Sequence, residues 1–276
     1  MLWHKSYGGS SDDIFTCMDF TTDGGYILGG SSTSSNGDVS QNNGNGDYWI
    51  VKVDAAGNML WEKSYGGSSD EWVKSVEQTT DGGYIVSGVT YSNDGNVLGH
   101  HGQTDAWILK LDASGGIVWK QCLGGSFSED PSGIVQTSDG GYVVISQSTS
   151  SDGDITTPTI SSDYWMVKLD ASGNILWDKS IDNNGNSDYP MAMKPTSDGG
   201  FVVAGTTNAS SDEPDNWIVK LDALGNVEWD QVVGGSNDDT PMAIDQVLDG
   251  GFVVSGMTQS NDGDVQGFHG AIDFWV

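Results

Sequence analysis

Tryptophan recurs along this chain with a nearly fixed step. Trp3, Trp61, Trp119, Trp177 and Trp229 lie 58, 58, 58 and 52 residues apart. The triplet Asp-Gly-Gly keeps the same beat, starting at Asp23, Asp81, Asp139, Asp198 and Asp249, with steps of 58, 58, 59 and 51. A period of this length means one supersecondary unit copied along the chain, each copy unable to bury its apolar face alone. Five units fill the 276 residues. The chain therefore reads as one domain, 1–276, with repeats at about 7–64, 65–122, 123–180, 181–232 and 233–276 plus 1–6.

No long window carries the 3.6-residue apolar period of a helix. Short Val, Ile, Trp and Tyr runs bounded by Asp, Gly, Asn and Ser dominate, which is the pattern of strands and turns. In the second unit the runs predict strands over 72–78, 84–88, 106–111 and 117–121. Asp81-Gly-Gly and Asp112 to Gly115 supply tight turns, and a long polar loop joins the second strand to the third. A four-stranded antiparallel sheet repeated radially is a propeller blade. The expected fold is all-β: a five-bladed β-propeller with four antiparallel strands per blade. Asp273-Phe-Trp-Val276 matches the third strand of a unit, and Met1-Leu-Trp3 matches the fourth. The last blade is thus expected to be closed by the N-terminal strand, which would remove free sheet edges. Ten of the eleven tryptophans occupy two repeat positions and are expected to pack between blades.

Three phrases resemble known repeats. Tyr26-Ile-Leu-Gly-Gly30, a loop, Trp49-Ile-Val-Lys-Val-Asp54 and Trp61 resemble a kelch-type repeat. Leu169-Asp-Ala-Ser-Gly-Asn-Ile-Leu-Trp177 is similar to the tryptophan-docking motif of quinoprotein-like propellers. Asp-Gly-Gly-Tyr and Leu-Asp-Ala-Ser-Gly-Asn are similar to repeats of large secreted bacterial surface proteins. The resemblance covers the whole chain and implies a propeller, with an extracellular or cell-surface location. Quinoprotein enzymes hold their cofactor with singular residues, and no arginine is present here to serve in that role.

Net charge is −29, from 39 acidic and 10 basic residues. A field of this sign repels phosphate backbones and excludes nucleic acid as an expected partner. It attracts cations and favours a soluble monomer. No apolar run reaches the 18 or more residues of a membrane span. Cys17 and Cys122 fall at different places in different repeats and read as free thiols.

Strand parity places two kinds of loop at each end of the blades. The Asp-Gly-Gly and Asp112-type turns are short and uniform. The loops at the other end vary, over 34–46, 92–104, 150–162, 209–214 and 260–272, so binding is expected there. A carboxylate precedes the first strand of every unit: Asp13, Glu71, Glu129, Asp188 and Asp239. Four residues on, Cys17, Ser75, Gly133, Ala192 and Ala243 are small, which places that strand innermost and the five carboxylates around the channel mouth. They would be offset by loop amides or by a cation. The variable loops carry Asn93-Asp-Gly-Asn, Ser151-Asp-Gly-Asp and Asn261-Asp-Gly-Asp, with Asn36-Gly-Asp as a shorter relative. Their oxygens make Asp38, Asp94, Asn96, Asp152, Asp154, Asp262 and Asp264 candidate ligands for calcium, while Asx-turns account for the same residues without metal. His101 and His269 take matching places and read as loop staples. Trp72 stands where other units have Ile14, Asp130, Tyr189 and Thr240, beside the acidic ring, and is a candidate sugar platform as well as a packing residue.

The expected function is a non-enzymatic binding or adhesion module for carbohydrate or another surface protein, assisted by calcium. A propeller glycosidase and a passive spacer in a larger surface protein are the alternatives. Glycoside hydrolysis needs two carboxylates in unlike environments, and repetition across five units singles none out.

Overall fold

The computed structural model describes residues 3–157, 161–208 and 213–276. Strands are the only regular elements among them. The first sheet contains β1 (Asp13–Phe20), β2 (Tyr26–Ser32), β3 (Asp47–Val53) and β4 (Met59–Tyr65). The second contains β5 (Glu71–Gln78), β6 (Tyr84–Thr90), β7 (Asp105–Leu111) and β8 (Ile117–Leu123). The third contains β9 (Glu129–Gln136), β10 (Tyr142–Ser148), β11 (Asp163–Leu169) and β12 (Ile175–Ile181). The fourth contains β13 (Asp188–Pro195), β14 (Phe201–Thr207), β15 (Asp215–Leu221) and β16 (Val227–Val233). The fifth has β17 (Asp239–Gln246), β18 (Phe252–Thr258) and β19 (Asp273–Trp275). Each sheet runs antiparallel in chain order, and the architecture is the expected all-β propeller of five sheets. Predicted strands begin or end one or two residues short, because the flanking Asp, Glu, Thr and Leu residues also join the ladders.

Neighbouring sheets meet through their first three strands, and the first strands of sheets one to five pack on one another in succession. The first strand is therefore innermost and the fourth outermost. Burial follows. The third strands β3, β7 and β11 are buried along their whole length, whereas β16 is mostly exposed. Trp49, Trp107 and Trp165 are completely buried. Tyr48 and Tyr164 lie 4.7 Å, ring to ring, from Trp107 and Trp217 of the next sheet. The outer tryptophans bridge as well. Trp119 donates to Ala171 O at 3.0 Å and its ring lies 5.6 Å from Tyr142. Removing one of the fully buried indoles, such as Trp107, costs about 3–5 kcal/mol.

The Asp-Gly-Gly triplet has a local cause. Gly82 takes φ +82°, which excludes most side chains. Gly83 leaves room for its neighbours: a Cβ there would lie 2.2 Å from Leu111 O and 2.6 Å from Lys110 Nζ. Lys110 is buried and reaches Asp81 at 2.9 Å. Lys52–Asp23, Lys168–Asp139 and Lys220–Asp198 repeat the pair. Asp–Lys ion pairs thus pin this end of four sheets.

The N-terminal segment docks as a fourth strand would. Trp3 donates to Ala55 O at 2.9 Å and its ring lies 6.1 Å from Tyr26, as Trp119 does toward the third sheet. Lys5 and Tyr7 bond Asn58 and Gly57 in the same turn. No pairing joins this segment to β19, so the fifth sheet has three strands among the described residues. The three-residue β19 offers about half the ladder that the seven-residue third strands offer. Cys17 and Cys122 are free thiols, and burial pushes them up to about 11 and about 12.

Candidate functional site at the loop end of the channel

Each first strand begins buried and then turns outward. The carboxylates at its first position are not presented to the channel. Glu71, Glu129, Asp188 and Asp239 are fully buried, and Asp13 is half-buried. Glu129 Oε2 accepts from Gly125 N at 2.9 Å, and Oε1 from Ser148 Oγ at 2.8 Å. Glu71 holds Gly67 N and Thr90 in the same way. Asp13 holds Gly9 N and Ser34, Asp188 holds Asn183 N, and Asp239 holds Gly235 N and Ser260. The expected ring of mouth carboxylates is thus a set of loop staples. Period-two alternation explains the difference: a first residue that bonds inward leaves the next one facing out.

The channel is lined by the second and fourth positions. A bulge interrupts each first strand: its register to the second strand skips Thr16, Lys74, Ser132, Met191 and Met242. An unpaired extra residue re-aims its side chain. Four of these five, with Asp130, Pro131, Gln147, Tyr189 and Pro190, line a cavity of about 360 Å³. Sequence reasoning missed them, because a bulge shifts the inside–outside pattern with no residue signature. The mouth is asymmetric. Lys74 pairs with Asp130 at 2.9 Å across two sheets. Tyr189 is 41% exposed, and Trp72, at the same repeat position one sheet beyond Asp130, is 39% exposed. Deeper down, a second cavity of about 260 Å³ holds Ser75, Glu77 and Lys194. Burial, with Asp19 nearby, pushes the Glu77 carboxyl up to about 7.

The acids of the variable loops are mostly exposed, yet each bonds a backbone amide. Asp94, Asp152 and Asp262 accept the amides of Ser68, Ser126 and Ser236 at 2.7–2.8 Å. Asp38, Asn96, Asp154 and Asp264 accept those of Gly8, Gly66, Gly124 and Gly234. These seven candidate calcium ligands therefore tie four of the variable loops to the preceding acidic loops. Among the described residues, no three of their carboxylates bring oxygens within 4.8 Å of one another. The loop 209–214 lies largely outside the described residues. His101 accepts the staple role, with its amide and Nδ1 2.9 and 2.8 Å from Asp105, and His269 stands likewise on Asp273.

A second set of carboxylates was not singled out by sequence. The first residues of the third strands, Asp47, Asp105, Asp163 and Asp215, are buried too. Each meets the first residue of the next sheet. A Cβ on Gly66 would lie 2.3 Å from Glu71 Oε2 and 2.4 Å from Asp47 Oδ1. Glycines 124 and 234 are hemmed in by Asp105 with Glu129 and by Asp215 with Asp239. At the seam of the third and fourth sheets, Asp163, Asp182 and Asp188 place oxygens within 4.8 Å of one another. Burial first, then the neighbouring carboxylate, pushes Asp47 and Asp188 up to about 6. Such a buried acidic group is able to hold a metal ion.

No family model matches the chain. A stretch of 167 residues is 26% identical to the regulatory protein FlaEY of Caulobacter vibrioides, covering 54% of this chain. The match spans 17% of that protein's length. Among solved structures, the chain is similar to the Pan2 WD40 domain of Neurospora crassa, at 12% identity and TM-score 0.49 over 87% of this chain and 60% of that one. A streptogramin B lyase is similar at 13% identity and TM-score 0.46, covering 98% and 85%. An α-L-arabinofuranosidase of Lactobacillus brevis is similar at 13% identity and TM-score 0.45, covering 91% and 84%. The chain is a β-propeller repeat domain. The expectation that it is not an enzyme falls here: the similar structures include a lyase and a glycosidase, and at these identities they assign no activity to this chain.

Proposed function

We propose that this chain is the ligand-binding propeller of an extracellular or cell-surface protein, and that it takes a neutral carbohydrate at the loop end of its channel. The asymmetry of the mouth carries the reading. Five identical units would give a five-fold symmetric mouth, yet Trp72 and Tyr189 stand exposed where other units have aliphatic, acidic or small polar residues. Exposed aromatic faces stack on sugar rings, and the Lys74–Asp130 pair offers donors and acceptors for hydroxyls. The charge of −29 disfavours polyanionic ligands. Metal assistance in this reading belongs to the buried seams between sheets, since the variable-loop acids are committed to backbone amides.

Glycan-array binding followed by calorimetry tests the proposal. Trp72→Ala and Tyr189→Ala are each expected to weaken binding about tenfold or more. Failure of the folded protein to bind any neutral glycan would remove it. Glu77 gives the hydrolase reading one specific support: a channel carboxyl near 7 is a suitable general acid. Polysaccharide turnover abolished by Glu77→Gln would establish that reading, and absence of turnover on the bound glycan would dismiss it.

A further inference from the structure

Four seams between successive sheets follow one plan, and one of them departs from it. In the plan, the first residue of a third strand and the first residue of the next sheet bring two buried carboxylates together. The loop residue between them is Gly66, Gly124 or Gly234, and the space a side chain would occupy there is taken by carboxylate oxygens. At the third-to-fourth seam the residue at that loop position is Asp182. A third carboxylate thus enters where the other seams have only a hydrogen atom.

We propose that the seam formed by Asp163, Asp182 and Asp188 binds a hard divalent cation of calcium's type. The three residues place oxygens within 4.8 Å of one another. Asp188 is fully buried and Asp163 nearly so, while Asp182 is exposed, which opens the cluster to solvent on one side. Hydrogen bonds leave part of the Asp188 carboxylate unmet. Asp188 Oδ2 accepts from Asn183 N at 2.8 Å; the Thr207 hydroxyl lies beside the carboxylate, yet Oδ1 is buried without a well-formed hydrogen bond. Asp182 Oδ1 accepts from Gly185 N at 2.7 Å, and Asp163 Oδ1 from Ser161 Oγ at 3.1 Å. No lysine or histidine pairs with Asp182 or Asp188 among the described residues.

A buried carboxylate oxygen with no well-placed donor is costly, and a second and third negative charge beside it add to the cost. A hard cation answers both: it neutralises the charge and accepts the free lone pairs as ligands. All the donors are oxygens, and they come from a loop and two strand starts. Calcium tolerates such an irregular, adaptable set, whereas magnesium demands a near-octahedral one. An ion at this seam would also clamp the third sheet to the fourth, because Asp163 belongs to one and Asp188 to the other.

This inference is independent of the carbohydrate reading, and its test uses no carbohydrate. The whole chain, stripped with a chelator, is titrated with calcium and with magnesium by calorimetry and by thermal unfolding at constant ionic strength. Calcium is expected to bind and to raise Tm by several degrees, because it binds the folded chain alone. Magnesium is expected to do so at least tenfold more weakly. Asp182→Gly restores the residue of the sister seams, so the variant should fold. It is expected to weaken calcium at least tenfold and to lose the Tm shift. Asp188→Asn, which keeps the shape, should do the same. Absence of any calcium effect on the parent chain overturns the proposal. A calcium effect that persists undiminished in Asp182→Gly places the ion elsewhere and overturns it equally.

Discussion

At the turn end of the propeller, Asp23, Asp81, Asp139 and Asp198 each meet a buried lysine. At the loop end, Asp47, Asp105 and Asp239 each meet another carboxylate, and each leaves one buried oxygen without a partner. Both ends repeat a carboxylate at a fixed register, so composition does not separate them. Their partners do. At the turn end burial works against Asp81, yet bonds from Thr79, Lys110 and Gly83 hold its carboxyl down to about 2. At the loop end burial and Glu71 push Asp47 up to about 6 against the bonds from Asn43. The turn end is electrostatically complete and is scaffold. The loop end holds surplus negative charge under its loops, which is a capacity for cations that packing alone does not require.

The largest test of this contrast asks whether the loop end needs its charge or only its bonds. Glu129→Ala removes the acceptor for Gly125 N and Ser148 Oγ in a buried site, and about 3 kcal/mol of stability is expected to go with it. Glu129→Gln keeps an acceptor and removes the repulsion from Asp105, so it should cost less than about 1 kcal/mol. Urea unfolding of the two variants checks both. Equal losses would mean that the charge itself stabilises this end and that the contrast is false.

The pH dependence should split in the same way. A carboxyl raised in the folded state contributes stability that is full below its unfolded pKa and is lost as pH rises through the folded value. For Asp47 the window runs from 3.8 to about 6, and Glu77 extends the fall to about 7. A lowered carboxyl does the reverse: the Asp81 contribution is present above 3.8 and is lost as pH falls toward about 2. Stability without metal should therefore peak near pH 4 and decline toward neutrality, by roughly 3–6 kcal/mol from these two groups. Unfolding midpoints measured from pH 3 to 8 in chelator show it. Replacing Asp47 by Asn should flatten the part of the decline between about 4 and 6.

Much of this fold was legible from the repeat. The step of 58 fixed the unit, the strand order and the number of sheets, because each copy repeats the same turn residues at the same places. The site was less legible. Alternation from the small channel residue Ser75 back to Glu71 places both at the mouth, whereas the bulge at Lys74 breaks that parity, leaving Ser75 and Lys74 on the channel and Glu71 inside. Seams were missed for another reason. Asp47 and Glu71 are 24 residues apart and lie in different units, and the glycine that lets them approach reads as an ordinary loop residue. Asp182, the residue that breaks the pattern, is visible only once the unit register is known.

Lys110→Met sharpens the turn end. The lysine donates to Leu111 O at 2.9 Å beneath the Asp81 turn, so its loss orphans a buried carbonyl. Asp81 itself is more than half exposed and water replaces its ion pair. About 1–2 kcal/mol of destabilisation is expected, with no change in calcium affinity. A loss of calcium binding in this variant would show that the two ends communicate.

The smallest effect is expected at Asp94, and it separates stapling from ligation. Its Oδ1 accepts from Ser68 N at 2.7 Å, so Asp94→Ala should cost about 0.5–1 kcal/mol, as loss of a cap does. Asp94→Asn keeps a neutral acceptor oxygen in the same place and should be close to silent in thermal unfolding. A calcium ligand behaves differently: amide for carboxylate removes a charge from the ion and weakens it strongly. Calcium affinity unchanged in Asp94→Asn, beside a large loss in Asp188→Asn, would place the cation in the seam and leave the variable loops free to shape the mouth. A comparable loss in both would return the ion to the variable loops.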